Sequence, residues 1–182
     1  MDPTWFGGDG PRDAAEARFL DRLREKAPSW GVPGLNPGCT RTLARIVPLL
    51  LTVDVPGLAR ATSSSHRLTQ LQVGYWQRGP YGHGLEGEWG CESVLDNHRY
   101  DTDGLTVIGI DAEPEDFASW AADWLCRQLS RPRERQEWIR QGQVFASRTR
   151  LADSGLVLFT EGSILPRLLR RSPDRVLPLR VE

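Results

Sequence analysis

Apolar residues recur along this chain with two different periods. Phe19, Leu20, Leu23 and Ala27 fall at i, i+1, i+4 and i+8, one stripe of an amphipathic helix. Asp13 and Glu16 form a capping-box-like start, Arg24 and Lys26 suit the helix end, and Pro28 stops it. Residues 28–38 are turn-rich. Asn36 and Pro37 then predict the cap of a second helix, running to Val47 and broken by Pro48. Leu49, Leu51, Val53 and Val55 share one face of a buried strand. From His66 to Gln77, Thr69, Leu71, Val73 and Tyr75 alternate with Gln70, Gln72 and Gly74, a half-buried strand. Residues 79–104 are rich in glycine and acids and predict an irregular loop, with a short strand near Glu88 to Val94. Leu105 to Asp111 is apolar on both faces and predicts a central strand. Phe117, Trp120, Ala121, Trp124, Leu125 and Leu129 mark the apolar face of a helix over 114–130, started by Pro114 and ended at Arg131-Pro132. Gln136 to Arg140, Val144 to Leu151 and Leu156 to Thr160 predict three antiparallel strands, turned at Gly142 and at Asp153-Ser154-Gly155. Ile164 to Arg171 predicts a short helix. Val176 to Val181 predicts an edge strand that tolerates Pro178. The expectation is a flexible tail over 1–12 and one α+β domain over 13–182, a mostly antiparallel sheet with two or three packed helices.

Composition narrows the classes. The chain has 182 residues, 39% hydrophobic and 26% charged, with net charge -1 and seven Trp, which excludes an intrinsically disordered protein. The most apolar stretch, Ile46 to Val53, contains Pro48 and is far shorter than the roughly 20 residues of a spanning helix. Met1 to Arg12 lacks the basic and apolar regions of a signal peptide. The three cysteines (Cys39, Cys91 and Cys126) are widely spaced and form neither a disulfide framework nor a zinc pattern. Reduced thiols predict a cytoplasmic protein. Lys26 is the single lysine, against 22 arginines in a total of 23 basic residues, so no phosphate-loop lysine is present. Dinucleotide-binding, zinc-protease and nucleophile-elbow motifs are absent too.

One segment concentrates polar chemistry. Residues 81–103 hold Tyr81, His83, Glu86, Glu88, Cys91, Glu92, Asp96, His98, Asp101 and Asp103, interleaved with glycines. Imidazoles beside carboxylates suit acid/base work or a divalent metal. His83, Glu88, His98 and Asp101 are therefore the catalytic candidates. Neither the H-x-x-E nor the D-x-H spacing defines a metal site, and no metal or cofactor is predicted. Asp101-Thr102-Asp103-Gly104 resembles part of a calcium loop, but Ala112 stands where its bidentate glutamate belongs. Trp76, Tyr81 and Trp89 flank the segment and suit an aromatic-lined groove. Charge is uneven: residues 79–116 carry ten acids and one base, whereas 131–182 carry 11 arginines and six acids. Such asymmetry steers charged partners or reflects two segments that face each other in the fold. Arg167, Arg170 and Arg171 share a helix face and are candidates for phosphate contact. The pI of about 6.3 and the lack of a recognition motif disfavour nucleic acid.

Residues 113–181 also carry Pro114-Glu115, Trp120-x-x-x-Trp124-Leu125, Arg131-Pro132, Glu137-Trp138, Ala152-Asp153-Ser154-Gly155 and Pro173-Asp174-Arg175-Val176. This pattern resembles one in uncharacterised proteins of actinobacteria and implies a shared fold module, with no activity attached. Together these readings predict a cytoplasmic, non-enzymatic accessory, regulatory or immunity-type protein that acts through a protein partner. A small cofactor-independent or metal-assisted enzyme with its site in 81–103 is the alternative. Nucleic-acid binding through the arginine-rich end is a second. No membrane association is predicted, and no small-molecule ligand is identified.

Overall fold

The computed structural model describes residues 4–44, 48–58, 67–79, 82–91, 100–162 and 171–179. Among the described residues, two α-helices and ten strands in two sheets form a single α+β domain. Six strands lie side by side in chain order: β1 (Gly7–Gly8), β2 (Thr40–Leu43), β3 (Leu49–Asp54), β4 (Gln70–Gly79), β5 (Gly82–Gly90) and β6 (Leu105–Ile108). All neighbours are antiparallel except β1 and β2. Helices α1 (Ala14–Lys26) and α2 (Pro114–Leu129) pack together on one face of this sheet. The second sheet runs β10 (Arg175–Leu179), β7 (Arg133–Arg140), β8 (Gln143–Leu151) and β9 (Val157–Gly162).

Both expected helices form where their signals lie. The Asp13 carboxylate accepts from the Ala15 and Glu16 amides at the start of α1. Asp116 reaches back to the Glu113 amide at 3.3 Å at the start of α2. Period-two alternation then brings Leu49, Leu51 and Val53 opposite Tyr75, Val73 and Leu71, and these opposite Leu85, Gly87 and Trp89. That row forms the helix-facing floor of the core. Phe19 stacks on Tyr75 with ring centroids 4.2 Å apart, and Phe117 leans on Tyr75 from α2 at 5.7 Å. Leu151, Leu158 and Phe159 belong to the same buried cluster, so one core serves both sheets. Hydrogen bonds from the Leu68 amide to the Leu158 carbonyl and from Arg133 to the Pro56 carbonyl tie the sheets together.

Four expectations need correction. Residues 5–9 are not a free tail: Phe6 is fully buried, its amide donates to Thr40 Oγ1 at 2.7 Å, and its carbonyl accepts from Thr42 Oγ1. No helix follows Asn36; a 3-10 turn over Pro37–Cys39 leads straight into β2, whose β-branched Thr40 and Thr42 are buried. The glycine-rich stretch is a nine-residue strand, β5, for most of its described part. Its glycines Gly84, Gly87 and Gly90 mark close approach rather than turns. A Cβ at Gly84 would meet the Trp76 ring at 2.2 Å, at Gly87 the Trp124 ring at 2.9 Å, and at Gly90 the Gln72 side chain at 2.7 Å. Finally, β6 is an edge strand rather than a central one. Trp120, at the rim where the sheet ends, is correspondingly 36% exposed, while Trp124 one turn later is buried. The expected helix over 164–171 lies almost wholly outside the described residues. Among the described residues, no helix is long and apolar enough to cross a membrane.

Gly8 offers a direct check on the N-terminal strand. Its φ is +130°, and a Cβ there would lie 2.4 Å from the Thr42 carbonyl oxygen. Gly8→Ala is expected to cost about 2 kcal/mol and lower the urea midpoint by roughly 1 M without changing the slope. An unchanged midpoint would mean that this strand contributes nothing to stability.

Candidate functional site

On β5, Leu85, Gly87 and Trp89 point toward the helices, so Gly84, Glu86 and Glu88 point to the opposite, outer face. There the Trp76 indole lies across Gly84. Beside it opens a cleft of about 1110 Å³. Its floor carries Trp76, Glu86, Glu88, Thr106 and Ile108; the segment Tyr100 to Gly104 and the β8–β9 turn at Ser154 and Leu156 form its walls. Glu86 and Glu88 lie two residues apart on one strand, roughly 7 Å between their Cα positions, beside an indole. Such a surface attracts cations electrostatically and offers an aromatic face to pack on.

The acidic wall is held by side chains from the end of α2 and just beyond it. Arg131 pairs with Asp101, whose side chain is almost wholly buried, and forms a two-pronged ion pair with Asp153 at 2.8 Å on each prong. Its third contact is Gln128 Oε1, at 2.9 Å. That oxygen also accepts from Trp89 Nε1 at 2.9 Å, while Gln128 Nε2 donates to both the carbonyl and the carboxylate of Asp103. Trp124 Nε1 donates to the same carbonyl, and Arg127 flanks the carboxylate. Burial alone would lower the Arg131 pKa; Asp153 and Asp101 outweigh it and hold the guanidinium above its ordinary value. In return, the hydrogen bond from Arg131 holds Asp153 below the usual aspartate value. The carboxylates of the calcium-like tetrapeptide are therefore building elements. Among the described residues, no group of three metal-ligating side chains converges.

The predicted catalytic residues are not all brought together. Glu88 and Asp101 line the cleft. His83 sits on the helix side of β5, its ring edge-on to Phe117 at 6.4 Å, so the sheet separates it from Glu88. His98 lies outside the described residues. Of the aromatic candidates, Trp76 lines the cleft from the outer side; Trp89, buried with its N–H committed to Gln128, also borders it; and Tyr81 lies outside the described residues. Glu86, Tyr100, Thr106, Ile108 and Trp124 also line the cleft. A strand over 82–90 puts Glu86 on one face with Glu88.

Most of the described arginines from 131 on are paired with carboxylates of the same chain. Arg135 and Arg175 flank the buried Glu137, Arg135 also meets Glu161 at 3.0 Å, and Arg150 pairs with Glu134 at 2.6 Å. Arg148 donates to Gln136 and lies over the Trp138 ring, 5.5 Å from its centroid. Arg171, a predicted phosphate contact, instead pairs with Asp174 at 2.7 Å. Arg167 and Arg170 lie outside the described residues. Arg133 donates to the Pro56 carbonyl; among the described residues from 131 on, Arg133, Arg140 and Arg148 pair with no carboxylate. The chain matches no family model, no curated protein and no solved structure.

Proposed function

We propose that this is a non-enzymatic binding protein of the cytoplasm, accessory or regulatory in role, which engages a protein partner through the acidic cleft on the outer face of its larger sheet. The observation that carries this reading is the cleft itself: its volume, the paired Glu86 and Glu88, and the Trp76 indole beside them. The polar groups around it support binding better than catalysis. Asp101 and Asp103 are spent on fixing the wall, and His83 lies across the sheet from Glu88. An acid/base mechanism needs its groups within hydrogen-bond reach of one reacting atom. The internal pairing of the described arginines favours a protein partner over nucleic acid.

Affinity capture from native lysate, comparing the wild type with Glu86→Lys, tests the reading. A partner held by the wild type is expected to fall at least tenfold with the variant, at unchanged melting temperature. Equal recovery, or no specific partner with either protein, counts against the cleft.

A further inference from the structure

Among the described residues the two sheets have four edges, and three of them are protected. Strand β1 is only two residues long; β10 carries Pro178; and β9 already accepts a hydrogen bond at Leu158 from the Leu68 amide. Short strands, proline and covering segments are how proteins prevent stray pairing. Strand β6 carries no proline and no basic residue, and no described residue pairs with its far side.

The register shows which backbone groups that edge presents. The Gly109 amide donates to the His83 carbonyl at 3.0 Å, and Val107 and Leu105 stand opposite Leu85 and Gly87 two and four residues further along the ladder. Residues 105, 107 and 109 therefore turn their N–H and C=O groups toward β5, while Thr106 and Ile108 turn theirs outward. Ile108 is 42% and Ile110 48% exposed beside that open ladder. On the helix side Trp120, partly exposed, rests edge-on against Phe117, which itself meets His83. On the outer side, Thr106 is paired in register with Glu86, and both line the cleft.

We infer that the free edge of β6 is where the partner docks, as an extended segment that adds a strand to the sheet and alternates basic with apolar side chains. The inference rests on the binding reading of the cleft and specifies its partner. Main-chain bonds at Thr106 and Ile108 supply affinity, and alternate side chains supply selectivity. Those on the outer side reach over Thr106 toward Glu86 and Glu88, one strand spacing of about 4.8 Å further in; arginine is long enough to span it. Those on the helix side meet Val107 and Trp120, which favour an aliphatic residue. Charge complementarity selects a basic segment, since Glu86 lines the outer side of this edge, the exposed Asp111 follows β6, and no arginine or lysine is among the described residues that line the cleft.

The test uses a capped decapeptide of alternating Arg and Val, an acidic counterpart of alternating Glu and Val, and an Arg/Val peptide N-methylated on every second amide. Calorimetry measures binding, and amide hydrogen exchange of the intact protein reads Thr106 and Ile108. The expected result is at least tenfold slower exchange at both amides with the basic peptide, and at least tenfold weaker binding by the other two. Binding that weakens with Glu86→Lys but leaves both amides unprotected overturns the edge pairing and keeps the cleft. Absence of binding by the basic peptide overturns both. Protection that grows with protein concentration alone places a second copy on the edge and overturns the inference.

Discussion

Truncating Trp124 to alanine is expected to lower the melting temperature by roughly 10 °C, about 4 kcal/mol of lost stability. The indole is fully buried between α2 and β5, pressed so closely on Gly87 that a Cβ there would stand 2.9 Å from the ring. Removing it opens a void the surrounding backbone cannot close, because Leu105 and Gly87 are fixed by strand pairing. It also strips the Asp103 carbonyl of one of its two donors, the other being Gln128 Nε2. Trp124→Phe keeps most of the packing and loses the donor, so it should cost about 1.5 kcal/mol. Thermal melts followed by circular dichroism separate the two terms. If Trp124→Ala and Trp124→Phe melt together, the ring's bulk is not what holds helix to sheet. The effect extends to the cleft, since Trp124 fastens the segment that walls it.

Legibility in the sequence followed the strength of the period. Helices α1 and α2 carry full apolar stripes with capping residues, and both lie within a residue or two of where those stripes place them. The hairpins of the second sheet were readable because Gly142 and Asp153-Ser154-Gly155 interrupt alternating runs. Strand β5 was not, because Gly84, Gly87 and Gly90 look like turn residues until the partners filling their missing side chains are known, and those partners are remote in sequence. Strand β2 was masked by Asn36 and Pro37, which start a helix as readily as a single 3-10 turn. The edge position of β6 depends on pairing order, which an apolar run does not encode.

The same limit applies to the site. Of the candidates taken from the sequence, Glu88, Asp101, Trp76 and Trp89 line the cleft. Their division of labour did not follow from composition. Strand alternation alone puts His83 and Trp89 on one face and Glu86 and Glu88 on the other. Asp101 and Asp103 are claimed by side chains from α2 and Arg131, 24 to 30 residues away. The acidic middle and basic end meet within the fold here, and each ion pair removes charges that composition alone would assign to partners.

Arg131 is where that meeting matters most for stability. Arg131→Ala is expected to cost about 3 kcal/mol, lowering the melting temperature by roughly 8 °C. The side chain is 9% exposed and serves Asp101, Asp153 and Gln128 together. Its removal strands the Asp101 carboxylate, itself 6% exposed, with no cation to offset its lost hydration. Arg131→Lys keeps a charge but not the two-pronged geometry toward Asp153, and should fall between. Replacing both partners, Arg131→Leu with Asp101→Leu, should recover more than half of the loss, because no buried charge is left alone. The pH dependence follows from Asp153, whose folded pKa lies below the ordinary aspartate value of about 3.9. Its contribution is complete above that value and is lost as pH falls through the folded pKa. The gap between wild type and Arg131→Ala should therefore hold constant from pH 7 to about 5 and narrow below about 4. Melts at pH 7, 5 and 3.5 read this directly. A gap that widens in acid would mean that Arg131 does not stabilise these carboxylates in their charged form, and that the cleft wall is held by something else.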